Sequence, residues 1–236
     1  MPPIEEVDNL KDQHEFYGED KYAIEESFAD KALSVLWTEH PNAIDIKLIK
    51  SYTIRDKSTK KLQILGADFL VFLLDGRVLR YDVKCFDKYN KFTAVLLEVE
   101  RGKVDINGLT ESEARGLKVK PKDVYNKRAG WIKGADDVPL SEQFILLICH
   151  GEAIIINKEP LLNTVKLYNG MFKESRLWWW IDYGTTQEEC DTGILRAKGN
   201  ALLFLDRLDH QQLILRMHAK KLHLVNGVWI PIDILS

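Results

Sequence analysis

Apolar positions between Gly66 and Lys84 (GADFLVFLLDGRVLRYDVK) flank Asp75-Gly76, a pattern that predicts two strands joined by a tight turn. A loop of Leu74-Asp75-Gly76, with Gly76 in the left-handed region, pairs Leu73 with Arg77. The ladder then sets Phe69 opposite Tyr81 and Val71 opposite Leu79. A two-residue loop would slip the pairing and set Phe69 against Asp82, so the matching of apolar with apolar selects the first register. That register puts Asp68 opposite Asp82 on the face away from the core, and the period of two adds Lys84 to the same face.

Upstream, from Glu19 to about His40, the period is helical. Ile24, Phe28, Ala29, Ala32, Leu33, Val35 and Leu36 gather on one side, with Ser27, Asp30, Lys31 and Ser34 on the other, and Pro41-Asn42 ends the run. Alternation at Ile44, Ile46 and Leu48, and again at Tyr52 and Ile54, predicts a long strand. A polar turn at 55–60 follows, and the chain returns from Leu62 into the hairpin. Phe92 to Glu100 reads as a buried fourth strand, interrupted by Glu98, which points either toward the acidic face or into solvent at a strand end. Residues 101–142 read as loops apart from a short helix at Glu111–Gly116. Phe144–Cys149 and Ala153–Ile156 form a second apolar hairpin that extends the sheet. Pro160 suits the first turn of a helix, residues 206–222 have helical character, and Pro231 restricts the last extended segment to a sheet edge.

These elements predict an α/β (α+β) fold in which an N-terminal helix packs on a mixed, largely antiparallel sheet. The expected organisation is an arm over residues 1–18, a core over 19–165, and a C-terminal extension over 166–236 packed on that core.

Composition narrows the function classes. No apolar run reaches the length of a membrane span and the first residues lack a signal-peptide pattern, so the expectation is a cytoplasmic protein with no membrane partner. Cys85, Cys149 and Cys190 lack paired spacing, which argues against both a disulfide framework and a zinc knuckle. A net charge of −3 excludes a surface that is basic throughout, though a local basic patch suffices for nucleic acid. Lys118, Lys120, Lys122, Lys127 and Arg128, with Trp131 among them, form the most basic stretch. They are candidate DNA-binding residues, the alternative being a loop packed on the core by Trp131. Lys57, Lys60 and Lys61 read as solvated turn residues, and His150, with no partner at metal spacing, as structural. The Trp178–Trp180 triplet reads as buried core, with a stacking surface or a homodimer interface as the other options.

Aspartates facing each other on neighbouring strands repel and need a counter-charge, which a divalent cation supplies. Glu25 is a second anomaly, because helix geometry sets it among Phe28, Ala29, Ala32 and Leu36, where a carboxylate needs a partner, the alternative being that it reaches solvent one turn from a frayed helix end. An Asp on one strand followed by Asp82-Val83-Lys84 on the next resembles the PD-(D/E)XK nuclease superfamily. Gln63 to Asp68 is similar to the Q-x-x-G-x-D lead-in of phage and bacterial members, with Ala67 where the motif's name has Pro. The resemblance covers roughly residues 20 to 160. It implies a restriction-endonuclease-like core and a Mg2+- or Mn2+-dependent endonuclease that hydrolyses DNA. Asp68, Asp82, Glu25 and the Val83 carbonyl would hold the metal, and Lys84 would orient the attacking water. The alternative is a catalytically inactive DNA-binding or protein-interaction module retaining that fold. A third reading is a β-rich module that binds protein through the tryptophans.

Overall fold

A computed structural model of the chain describes residues 28–49, 67–117, 119–167, 177–181 and 191–234. The strands are β1 (Ala43–Leu48), β2 (Phe69–Leu73), β3 (Val78–Phe86), β4 (Ala94–Asp105), β5 (Val124–Ala129) and β6 (Gln143–Cys149). They continue with β7 (Glu152–Asn157), β8 (Leu177–Ile181), β9 (Ile194–Phe204), β10 (Lys220–Val225) and β11 (Val228–Ile232). The helices are α1 (residues 28–39), α2 (Glu111–Gly116), α3 (Lys158–Leu167) and α4 (Leu208–Arg216). The contacts define two compact units, one within Met1–Phe92, Ala135–Asn157 and Ala219–Ser236, the other within Thr93–Gly134 and Lys158–His218.

The first unit is a seven-stranded sheet in the order β1-β2-β3-β6-β7-β10-β11. Every neighbouring pair is antiparallel except β3 with β6. Phe28, Ala32, Val35 and Leu36 of α1 are buried with Ile46, Phe69, Val71, Leu79, Tyr81, Leu146, Ile148 and Leu222, while Asp30 and Ser34 are exposed, as the helical period requires. The helix ends where expected, with the His40 N–H donating to the Leu36 carbonyl at 2.9 Å and the turn at Pro41-Asn42 leading into β1. Tyr81 is fully buried, stacks on Phe144 at 4.9 Å and shares a 2.6 Å hydrogen bond between its hydroxyl and His40 Nε2. Burial raises the Tyr81 hydroxyl well above its ordinary pKa and lowers that of His40.

The β2–β3 hairpin has the register read from the sequence, with Phe69 opposite Tyr81 and Val71 opposite Leu79. The Leu73 N–H donates to Arg77 at 3.0 Å, and Gly76 takes φ +85°, which a side chain would strain. The Arg77 backbone N–H and guanidinium both bond to Asp75 and hold its carboxyl below the usual range. In β6 and β7 both faces are covered. Ile145, Leu147, Ile154 and Ile156 are as buried as Leu146, Ile148 and Ala153, which explains the nearly unbroken apolar runs there.

The described strands divide the chain differently from the expected core over 19–165 and extension over 166–236. β10 pairs with β7, from Lys220 opposite Ile155 to His223 opposite Glu152, so the end of the chain completes the first sheet. β11 is the edge strand anticipated from Pro231, which sits opposite Leu222. Phe92–Glu100 is not a fourth strand of that sheet, because the segment becomes β4 of the second unit. The region from 206 to 222 is helical only through α4, after which His218 at φ +51° turns the chain into β10.

The second unit is a four-stranded antiparallel sheet in the order β5-β4-β9-β8. Val104, Ile106, Ala114, Val119, Val124, Leu195 and Ala197 form its buried cluster. The region read as loops contains β5 as well as α2, the expected helix. Thr110 and Glu113 bond reciprocally as a capping box at the start of α2. Pro160 lies in the first turn of α3 as expected, and α4 follows β9. Among the described residues no helix is long and apolar enough to cross a membrane.

Candidate active site

At the end of the hairpin remote from its turn, the β2–β3 pairing stops at Phe69 and Tyr81, and the next residues on the two strands are Asp68 and Asp82. Asp68 is fixed through its backbone and its side chain. Its N–H donates to the Tyr81 carbonyl at 2.7 Å, and its own carbonyl accepts from Ile49 at 2.7 Å. Its Oδ2 accepts from the Val83 N–H at 2.7 Å. The side chain thus takes over where the backbone ladder ends.

Along β3, Leu79 and Tyr81 belong to the core under α1, so the period of two sends Arg80, Asp82 and Lys84 to the other face. Asp82 is 3% exposed, flanked by β2 and by Ile145 of β6. Its Oδ1 accepts from Lys84 Nζ, whose side chain is 35% exposed. Arg80, one step toward the turn, forms a two-pronged bridge to Asp137 at 3.0 and 3.1 Å. Asp82 and Lys84 are thus paired on one face of β3, and Asp68 lies at the same end of the hairpin, bonded through its side chain to Val83 and through its N–H to Tyr81, outside the paired register.

The other candidates fall elsewhere. Glu25 and Lys118 lie outside the described residues, as do Cys190, the strand through Tyr52 and Ile54, and the turn lysines. The described turns of α1 pack on the face opposite Asp82. Lys120, Lys122, Lys127 and Arg128 are exposed and Trp131 is half-buried, all in the second unit, where the Trp131 carbonyl accepts from Lys158 Nζ at 3.1 Å. Glu98 is 5% exposed on β4, so it belongs to the second sheet and not to the acidic face of the first. Arg101 Nε approaches it at 3.1 Å and Lys198 Nζ at 3.8 Å. The Trp178–Trp180 backbone lies in edge strand β8.

Glu152 was not singled out in the sequence, although a charge opening the apolar run Ala153–Ile156 is a visible anomaly. It is 2% exposed and accepts from the Phe92 N–H at 2.7 Å, with Lys221 Nζ at 3.1 Å and His223 Nε2 also on its carboxylate. Such complete satisfaction suits a structural group. Cys149 is buried, and burial raises its thiol pKa, which disfavours a nucleophilic role. His150 is structural as expected, with Nδ1 accepting from Lys31 at 3.1 Å and Nε2–H donating to the Asp87 carbonyl at 2.7 Å.

Among the described residues no group of three or more His, Cys, Asp and Glu side chains is placed to hold a metal. The donors at the strand end, two carboxylates and the Val83 carbonyl, are all oxygen. Oxygen donors are the type that Mg2+ and Mn2+ take, whereas Zn2+ prefers nitrogen and sulfur ligands. Compared with family models, curated proteins and solved structures, the chain matches none.

Proposed function

We propose that the first unit is a metal-dependent nuclease with a restriction-endonuclease-like core, hydrolysing phosphodiester bonds in DNA. Asp68, Asp82 and Lys84 would be its working residues. The observation that carries this reading is the strand end itself, where Asp68 is held by the Val83 N–H and Asp82 by Lys84.

Asp68 and Asp82, with the Val83 carbonyl, would hold Mg2+ or Mn2+. The bound ion would polarise the phosphate and make hydroxide available near neutral pH. The Val83 N–H fixes the orientation of the Asp68 carboxylate before any ligand arrives, an instance of preorganisation. Lys84 is exposed enough to meet a phosphate oxygen while tethered to Asp82, so it can offset charge that develops on the phosphate and orient a water. Lys120, Lys122, Lys127 and Arg128 are exposed cations suited to the DNA backbone.

Calorimetry with Mn2+ tests the site. Wild type should release or absorb heat and Asp68→Ala should not, while the absence of heat from wild type removes the metal centre. The second reading, a DNA-binding module without cleavage, is favoured by the absence of a third acid near the pair among the described residues. Incubating supercoiled, linear and branched DNA with Mn2+ separates the two, since binding without cutting supports the second.

A further inference from the structure

We propose that the second unit binds a single strand of nucleic acid across one face of its sheet, through residues that the linear sequence does not group. Register builds this surface. Arg101 of β4 pairs with Lys198 of β9 on one side and Arg128 of β5 on the other, and Lys103 pairs with Arg196 and Tyr125. Directly paired residues share a face, so Arg128, Arg101 and Lys198 make one row and Tyr125, Lys103 and Arg196 the next. The two rows lie about 7 Å apart along the strands. The opposite face carries Val104, Leu195 and Ala197 of the buried cluster.

Like charges directly opposite one another on neighbouring strands destabilise a sheet. Here they recur in adjacent rows of a chain whose net charge is −3, so composition does not impose them. Glu98 offsets only the first row, through Arg101 and Lys198. Arg128, Lys103 and Arg196 are exposed and make no ion pair among the described residues. Beside the Arg101–Lys198 row, Asn200 is paired with Glu98 and is 2% exposed, and its Nδ2 donor has no hydrogen-bond partner among the described residues. Rows of cations at regular spacing suit a ligand with repeating negative charge.

Tyr125, 38% exposed beside Lys103, supplies an aromatic surface, and in β8 the backbone pairs Trp180 with Lys198 and Trp178 with Asn200. Exposed cations with an exposed tyrosine beside them favour unpaired bases over a duplex, whose bases are already stacked. The inference does not depend on cleavage by the first unit.

Fluorescence anisotropy with a labelled 20-nucleotide single strand, in EDTA so that no cutting intervenes, tests it over a range of salt. Wild type should bind the single strand more tightly than the matching duplex and ignore polyglutamate. The Lys103→Gln/Arg196→Gln variant should lose at least tenfold in affinity, and its salt slope should fall by about 1.4, the value for two lost phosphate contacts. Tyr125→Ala, which leaves the charge unchanged, should weaken binding without altering the slope. Equal binding by the double variant, a preference for duplex, or equal competition by polyglutamate would overturn the proposal. Thermal melts of both variants confirm that they remain folded.

Discussion

The Val83 N–H donates to the Asp68 carboxylate at 2.7 Å, tying the end of one hairpin strand to the residue between Asp82 and Lys84 on the other. One aspartate therefore serves both as a structural clasp and as a candidate ligand. These roles separate by substitution. Asp68→Ala removes the acceptor and should cost at least about 1.5 kcal/mol, the scale of a hydrogen bond to a charged group. Asp68→Asn keeps a carbonyl acceptor and should stay closer to wild type in a urea melt while still losing Mn2+ binding. Undiminished metal affinity in Asp68→Asn would leave the clasp as the only role of Asp68.

The Asp82–Lys84 pair is asymmetric, with the acid buried and the base partly exposed. Truncating the cation leaves a buried carboxylate with less compensation, so Lys84→Met should destabilise by about 1–3 kcal/mol. Adding Asp82→Asn to Lys84→Met should recover part of the loss. A double-mutant cycle from denaturant midpoints should return a coupling of about 1–2 kcal/mol, and a coupling near zero would mean that the pair is not formed in solution.

His40 gives the first unit a pH dependence. Burial, together with the nearby Lys220 charge and against the pull of Glu39, lowers its pKa from the usual 6.5. With a folded pKa below the unfolded one, the unfolded chain binds the proton first. The stabilising contribution is then complete above about pH 6.5 and is lost as pH falls through the folded value. Melting temperature should drop between pH 7.5 and 5.5, and His40→Gln, which keeps a polar partner for Tyr81, should flatten that drop. Identical pH profiles for both proteins would contradict this.

Gly130 abuts the backbone beside Glu98. A Cβ at this position would lie 2.1 Å from the Glu98 carbonyl oxygen, and backbone cannot move aside as a side chain can. Gly130→Ala should destabilise the second unit by about 1–3 kcal/mol, the range for overpacking. Gly116, where a Cβ meets nothing within 4 Å, is the control, with Gly116→Ala expected near wild type.

The hairpin was legible because three local signals agreed, namely the turn residues, the matching of apolar partners and the period of two. The shared face of Asp82 and Lys84 followed from that register, whereas Asp68 lies beyond the last paired residues and bonds to Tyr81 and Val83. Sheet membership was not legible. Glu98 has the alternation of a strand residue, but nothing within Phe92–Glu100 says that β4 pairs with β9, far along the chain, instead of with β3. The parallel pairing of β3 with β6 was hidden for the same reason, since residues 87–142 intervene. The basic stretch around Lys120 to Arg128 stood out by composition, whereas the rows through Arg101, Lys103, Arg196 and Lys198 exist only once β4, β5 and β9 are aligned. Local pattern specifies which face a side chain takes, and long-range pairing decides which neighbours it meets there.

The most direct test of the proposed nuclease activity is the rate at which supercoiled DNA is nicked in Mn2+ by wild type, by Asp82→Asn and by Lys84→Ala, each checked for folding by circular dichroism. Nicking by wild type that EDTA abolishes, with a loss of at least a hundredfold in both variants, is the expected result. Nicking that survives Asp82→Asn in a folded protein, or no nicking by wild type on any DNA form, would contradict the assignment.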